Sequence, residues 1–432
     1  MSTPDRSVVF VTVDSLRYDY CTDEHMPTLA DMAENGIAFE NAVAPGPSTS
    51  ESMPAVFTGS YPTPRSDRVA FDERVNHVRP HLRTHRTIAD RFADAGYRTA
   101  AFTPNPFTSR HFGFDSGFDH FEDFLDGSRS RLYDRVFSSV DDDSGPLWFA
   151  LRTAANWLSR EEAFKPWEEF YDDILAWVES DDDPYFLWIF LMDAHHPYLA
   201  GPGCRSQSRL QSYYANWRLR QCEYEPPLGD RTHKWLTTAY EDSVTHVDQF
   251  LTRLRADLAD PVVVVTSDHG ESFAEHGTYE HHGGALGNYG AQERNVYMYE
   301  ENIHVPLVVA NAGRTGEITA PVSLRALGRL LDPGGGGISV GPDLQTPYAI
   351  SRTFDGSQTA VRGRDWKYVT YDEIETTYQL DTGGTNDERP VEAPDLRRTC
   401  REIVATRRRT EREQEQLTAM AKRVANREQA SR

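Results

Sequence analysis

Lysine is almost missing from this chain. Four of 432 residues are Lys (Lys165, Lys234, Lys367 and Lys422), and arginine supplies the other cations. Positive charge is scarce altogether: 45 Lys and Arg stand against 67 Asp and Glu, a formal charge of −22. A surface this acidic repels nucleic acid, so no nucleic-acid partner is expected. The acid-rich, lysine-poor pattern resembles proteins of a high-salt (halophilic) cytoplasm. Strong salt would screen such charge to within a few ångströms, so an anionic substrate stays compatible with it. Cysteine is also sparse. Cys21, Cys204, Cys222 and Cys400 form no CxxC, and their spacing suits neither a zinc knuckle nor a disulfide framework. Cys204 and Cys222 flank one loop, but free thiols in a reducing compartment are the expectation. No apolar run approaches roughly 18 residues, which argues against a transmembrane segment. The N-terminus, MSTPDRSVVFVTVD, enters a strand at once, with no basic n-region and no apolar stretch of signal-peptide length. A cytoplasmic location is therefore expected.

What the chain does have is a set of apolar runs that stop abruptly in polar chemistry. Val262–Glu271 is VVVVTSDHGE. Four β-branched residues in succession spell a strand buried on both faces, as in a parallel sheet. The run breaks at Asp268 and His269, just before Gly270. Ligands in open α/β sheets collect beyond the carboxyl ends of the strands. Carboxylate plus imidazole there suits zinc, manganese or iron. The plain alternative is an Asp capping a following helix, with His alongside. Ser7–Val13, SVVFVTV, ends the same way, in Asp14. Tyr185–Met192, YFLWIFLM, ends in Asp193-Ala194-His195-His196-Pro197-Tyr198. Several buried strands ending in Asp or His are hard to explain as packing. Asp14, Asp268 and His269 together make a two-carboxylate, one-imidazole site for a single divalent ion.

Between these strands the pattern is mixed. Met26 through Phe39 reads as a helix closed by Asn35-Gly36. Ala44–Tyr61 is a Pro-, Ser- and Thr-rich loop leading into a short helix at Pro54. Thr87–Tyr97 reads as a helix and Arg98–Thr103 as a strand. Residues 122–183 look helical, with Trp148, Trp157, Trp167 and Trp177 along them. Gly201–Gly229 reads as irregular, Lys234–Leu258 as a helix and His304–Val309 as a strand. After about residue 315 come four short alternating segments: Tyr348–Phe354, Gln358–Arg364, Trp366–Tyr371 and Thr376–Leu380. They spell a small antiparallel sheet. From Ala393 the chain is a charged helical tail with a thin apolar stripe.

Such a metal site wants a nucleophile, and the loop at Ser48-Thr49-Ser50 supplies hydroxyls. A hydroxyl beside a metal ion loses its proton far more easily and can attack phosphorus or sulfur. The same cluster is also an ordinary helix cap. Arg17 either neutralises an anion or bridges loops.

VTVDSLRYD at Val11–Asp19, MPTLADMAENGIAFENAVA, TGSYP at Thr58–Pro62, GFDxF, DxHxPY, TSDHGE, EHG and YEExxxVPLxV follow one another in order. In that order they resemble the sulfatase branch of the alkaline phosphatase superfamily over nearly the whole chain. The resemblance, with the strand pattern, implies an α/β fold: a mostly parallel central sheet with helices on both faces over residues 1–315. A small antiparallel subdomain (316–392) and the tail (393–432) complete it. Counting back from Gly59, the family's nucleophile position falls on Thr49. Sulfatases carry Cys or Ser there, in a CxPxR-type motif that becomes formylglycine. This chain has Thr49, with Met53 at the Arg position, so the aldehyde-hydrate route to sulfate esters is closed. A Thr nucleophile instead resembles the phosphate-processing members.

The resemblance implies metal ligands Asp14, Thr49, Asp268 and His269, holding one divalent ion: zinc, manganese, magnesium or calcium. A second Asp, His, His set is not found. Ser15 replaces the second Asp of the family's usual pair. His195 matches the HxP histidine, near the leaving group. His281 stands where the family has a Lys or His facing the anion, with His282 as the fallback. Asn105 lies near a family substrate motif that is otherwise absent here, and His304 where many sulfatases have Arg. Gly283–Met298 is longer than the family needs and is either a lid or a surface insertion. The expected activity is metal-dependent hydrolysis or transfer of phosphate esters, phosphodiesters foremost. The substrate would be a small molecule or a glycan- or lipid-linked phosphate or sulfate ester. Sulfate-ester hydrolysis is the alternative within enzymes, and a non-catalytic anion- or glycan-binding relative the alternative outside them.

Overall fold

A computed structural model describes residues 6–62, 74–125, 164–222, 228–279, 281, 298–335, 337–371 and 374–430, the last helix beyond residue 413 as backbone alone. Trp148, Trp157, His282 and most of the 283–298 stretch lie outside the described residues.

The apolar runs build one large sheet of eight strands. These are β1 (Val8–Val13), β2 (Ile37–Phe39), β3 (Arg98–Phe102), β4 (His120–Glu122), β5 (Tyr185–Leu191), β6 (Val262–Ser267), β7 (Leu307–Ala310) and β8 (Gly316–Ile318), in the order β8-β2-β7-β6-β1-β5-β3-β4. All neighbours are parallel except β7, which runs antiparallel to both β2 and β6. Every residue of β1, β5 and β6 is buried, because helices cover both faces. Alternate side chains feed two cores. Phe10, Trp188 and Val264 join one with Phe57 and Phe92. Val9, Val11, Leu187 and Val265 join the other with Tyr240, Val244, Val247 and Leu251.

The longer helices are α1 (Pro27–Glu34), α2 (Thr49–Thr58), α3 (Val75–Thr84), α4 (Ile88–Asp94), α5 (Tyr171–Val178), α6 (Arg209–Gln221), α7 (Asp230–Asp257) and α8 (Pro394–Ala430), with single turns at Glu300–Ile303 and Leu327–Leu330. Several differ from the sequence expectation. The helix expected over 26–39 stops at Glu34, and Ile37–Phe39 pairs as β2 in the sheet. The helix expected at Pro54 begins at Thr49, with Ser48 extended before it, and Pro54 sits inside. The stretch expected to be irregular holds α6. Its N-terminus is closed by a Ser208–Gln211 capping box, a signal present in the sequence. The C-terminal antiparallel sheet has five strands rather than four: β9 (Ala349–Arg352), β10 (Gln358–Arg362), β11 (Trp366–Tyr371), β12 (Ile374–Leu380) and β13 (Glu388–Pro390). β13 is a three-residue edge strand, too short to announce itself by alternation. Buried Cys400 and Val404 seat α8 on this sheet. All four cysteines are free. Among the described residues no helix is long and apolar enough to cross a membrane.

Candidate active site

Register brings the first two carboxylates together. Val13 lies opposite Ser267 in the parallel β1–β6 pair, so Asp14 and Asp268 leave the sheet side by side. Ser267 pins both turns. Its hydroxyl lies within hydrogen-bond distance of the carbonyls of Val13 (2.6 Å) and His269 (2.5 Å), sharing its one proton between them, and accepts from the Leu16 N–H (2.9 Å). Ser15 takes a left-handed φ of 61°. This lets its N–H reach Asp268 Oδ1 (3.3 Å) while its hydroxyl donates to Asp14 Oδ1 (3.0 Å). Gly270 is required by packing: a Cβ there would lie 1.9 Å from the carbonyl oxygen of Glu301.

Asp14, Asp268 and His269 are fully buried. One ligand atom from each lies within 4.8 Å of the others. His269 Nδ1 is 2.8 Å from the carbonyl of Gly270, which can only accept, so Nδ1 carries the proton. Burial lowers the His269 pKa to about 4, which leaves the ring neutral with its Nε2 lone pair exposed to its neighbours. Those neighbours are Asp268 Oδ2 at 3.4 Å, Asp14 Oδ1 at 3.5 Å and the Thr49 hydroxyl at 3.4 Å. Among the described residues no donor lies within hydrogen-bond geometry of Asp268 Oδ2. Buried acceptors facing one another without a donor are unfavourable unless a cation stands between them. Burial, then the neighbouring Asp268 carboxylate, raises Asp14, and burial raises Asp268 to about 7. The donor set fits a divalent ion: ligands about 2.1 Å from a tetrahedral centre lie roughly 3.4 Å apart.

Thr49 enters as the first residue of α2, 3.5 Å from Asp14 Oδ2. The positive end of the α2 dipole favours negative charge at this hydroxyl. Asn105 lies beside both Thr49 and Asp14. Its Oδ1 accepts from the Phe107 N–H (2.8 Å), which fixes the amide orientation. Its Nδ2 then donates to Asp14 Oδ2 (2.7 Å) and lies 3.4 Å from the Thr49 hydroxyl.

His281 and His195 extend the cluster. The His281 ring lies 4.0 Å from that of His269, and His195 lies 5.6 Å from His281. His195 Nδ1 donates to the carbonyl of His196 (2.6 Å), leaving Nε2 as the acceptor. His281 Nδ1 faces Glu271 (3.2 Å), a buried carboxylate that also accepts from the Tyr198 hydroxyl (3.0 Å). Glu271 is the site residue that sequence reasoning left without a role, although the TSDHGE motif contains it.

Arg17 and His304 are committed elsewhere. The Arg17 guanidinium is bidentate on Asp19 (2.9 and 2.7 Å), and its remaining Nη1 serves Glu275 and the Glu271 carbonyl (3.0 Å). His304 stacks on Tyr18 and lies within hydrogen-bond distance of the Glu40 carbonyl (2.8 Å) and Asn386 Oδ1 (2.9 Å). A second acid–imidazole group, Glu168, Asp193 and His246, has the geometry of an ion pair. Both His246 ring nitrogens face carboxylates, Glu168 at 2.5 Å and Asp193 at 3.3 Å. Against the lowering effect of burial, these two carboxylates raise His246 to about 9, so the ring is an imidazolium.

A comparison with curated proteins gives no match. Among solved structures, a phosphonate monoester hydrolase from Silicibacter pomeroyi is similar at 18% identity and a TM-score of 0.60, covering 94% of this chain and 96% of its own. The phosphonate monoester hydrolase of Agrobacterium radiobacter matches at 15% identity and 0.59, covering 95% and 96%. A 2-O GAG sulfatase matches at 15% and 0.59, covering 93% and 90%. At these identities the likeness is one of fold. The sulfatase family profile matches residues 6–325. The chain therefore belongs to the sulfatase family and is an ester hydrolase of the alkaline phosphatase superfamily.

Proposed function

We propose that this hydrolase acts on phosphate esters, phosphodiesters foremost, with Thr49 as the nucleophile. The observation that carries the reading is the Thr49 hydroxyl, 3.4 Å from His269 Nε2 and 3.5 Å from Asp14, at the mouth of a buried acceptor cluster. A threonine cannot become formylglycine, so the hydroxyl itself must do the attacking. Asp14, Asp268, His269 and Thr49 would hold one divalent ion, which supplies Lewis-acid stabilisation and lowers the pKa of a nearby hydroxyl. Asn105 steadies Asp14 and offers an N–H to a phosphoryl oxygen at Thr49. Thr49 attacks phosphorus in line: its O–P bond forms as the ester P–O bond breaks, the proton it gives up is taken by His195 Nε2, and His195 passes that proton to the departing alkoxide. His281, oriented by Glu271, faces the non-bridging oxygens. The phosphoryl group of the resulting phosphothreonine then passes to water or to an acceptor alcohol, breaking the Thr49 O–P bond and regenerating the hydroxyl. The alcohol portion is small, or part of a glycan or lipid.

The test compares turnover of a nitrophenyl phosphodiester, phosphomonoester and sulfate ester, with each divalent metal in turn, by wild type and Thr49→Ala. Phosphoester turnover that falls at least about a thousandfold in Thr49→Ala supports the reading. Dominant sulfate-ester turnover would reassign the substrate to sulfur. Equal turnover by the variant would remove Thr49 from the mechanism.

A further inference from the structure

Away from the catalytic cluster, three guanidinium groups converge on one tyrosine. Tyr61 lies just beyond the C-terminal end of α2. Arg325, Arg352 and Arg407 place their guanidinium carbons 4.4, 4.4 and 4.8 Å from its ring centroid. They arrive from separate parts of the chain: a short turn at 324–326, β9 and α8. Among the described residues one carboxylate pairs with two of the three, and Arg325 has none. Glu411 lies 3.0 Å from Arg407 and 3.9 Å from Arg352. The other hydrogen bonds go to carbonyls, Arg325 to Gly59 (2.8 Å) and Arg352 to Pro62 (2.7 Å). The Nε atoms of Arg325 and Arg352 are buried without a partner. Glu51 acts on Arg352 but makes no ion pair with it: its carboxylate accepts from the Ser48 hydroxyl (2.8 Å) and the Phe354 N–H (2.8 Å), and the stronger charge acting on it is Arg74.

Among the described residues, three guanidinium charges therefore share one ion-paired carboxylate, with Arg352 buried and Arg325, Arg407 and Glu411 half-buried. The Tyr61 ring offsets part of this through its quadrupole but carries no net charge. Burial first, and then the neighbouring guanidiniums, pulls Arg325 and Arg352 below the ordinary arginine range. An unmatched buried charge is costly, and this chain, at −22, is not short of acids. Guanidinium forks match the oxygen edges of a tetrahedral oxyanion. The group stays open on the α8 side, where the Arg407 and Glu411 side chains keep 26% and 18% exposure.

We infer that the Tyr61 arginine cluster is a binding site for a doubly charged tetrahedral oxyanion, phosphate or sulfate. Its two negative charges would balance the two unmatched positive ones. Because the three arginines belong to different elements, the anion fastens α8 and the antiparallel sheet to the end of α2.

Calorimetric titration of inorganic phosphate and of sulfate into the full chain tests this, at constant ionic strength. Chelator is kept present so that no divalent ion assists anion binding at the catalytic cluster. One saturable event is expected, equal in wild type and Thr49→Ala. Arg407→Gln should weaken it about tenfold or more, and Arg407→Lys, which keeps the charge but loses the fork, by less. Phenyl phosphate separates the sources. Binding equal to inorganic phosphate means an ester-borne phosphate also fits, and binding of the inorganic ions alone means the occupant is the free anion. Melting temperature should rise with phosphate in wild type, and by less at the same phosphate concentration in Arg407→Gln. If Arg407→Gln does not fold, Arg407→Lys carries the comparison. Absence of saturable binding, wild-type affinity in Arg407→Gln, or loss of binding in Thr49→Ala would each overturn the inference.

Discussion

Asp268→Asn should stabilise the metal-free protein while destroying its response to metal. Asp268 is fully buried, and burial raises its pKa from 3.8 to about 7. A carboxyl whose folded pKa lies above its unfolded one loses stability as pH rises from the unfolded value through the folded one. The window is therefore about pH 4 to 7. A shift of this size corresponds to about 4 kcal/mol above it. Asparagine removes the charge and keeps the shape. Its Oδ1 can still accept from the N–H groups of Ser15 (3.3 Å) and His269 (2.9 Å). Its Nδ2 then donates toward His269 Nε2, 3.4 Å away, where the carboxylate offered only a lone pair. Allowing for the desolvated amide, the gain at pH 8 should be about 2–4 kcal/mol. Urea unfolding in chelator at pH 5 and pH 8 measures it, and the gain should shrink toward pH 5. Adding zinc or manganese reverses the order. Wild type should gain about 2.7 kcal/mol when free metal exceeds Kd a hundredfold, and the variant little. Equal stability of the two proteins at pH 8 in chelator, or equal stabilisation of both by metal, would refute the cation-site reading of this cluster.

Three further outcomes follow from the same geometry. Asn105→Ala removes a charge-assisted hydrogen bond to Asp14, and kcat should fall about tenfold to a hundredfold with a smaller change in KM; an unchanged kcat would take Asn105 out of the site. His304→Gln should lower stability by about 1–3 kcal/mol in urea unfolding and leave KM within twofold, because its contacts are with Glu40, Asn386 and Tyr18. A large rise in KM would instead return it to substrate binding. The His246 ion pair, with a folded pKa of about 9, should contribute fully below about pH 6.5 and be lost as pH rises to 9. Because Glu168 keeps 42% side-chain exposure, solvent discounts the effect to about 1–2 kcal/mol. His246→Gln should flatten that decline in a pH series of urea midpoints, and an unchanged slope would reject it.

The large sheet was legible because parallel strands buried on both faces leave continuous β-branched runs, and helices between them fix the crossovers. Asp14, Asp268 and His269 were legible for the same reason: each follows directly on such a run. The start of α2 was not. Ser48-Thr49-Ser50 carries the composition of a loop and a cap equally well, and the helix is decided by what its buried face packs against. α6 was missed although Ser208 and Gln211 spell its capping box, because its polar residues hide the apolar period.

By itself the sequence determined the architecture and the placing of Asp14, Asp268 and His269 at strand ends. These depend on residue type and on neighbours a few positions away. Only the tertiary structure decided which polar side chains share the cluster. Arg17 and His304 look as suitable as Asn105 on chemistry alone. Yet Arg17 is consumed by Asp19 and Glu275 and His304 by Glu40 and Asn386, while Asn105 meets Asp14 across 91 positions of chain. A buried polar group is defined by the partner that satisfies it, and that partner comes from register and packing rather than from local pattern.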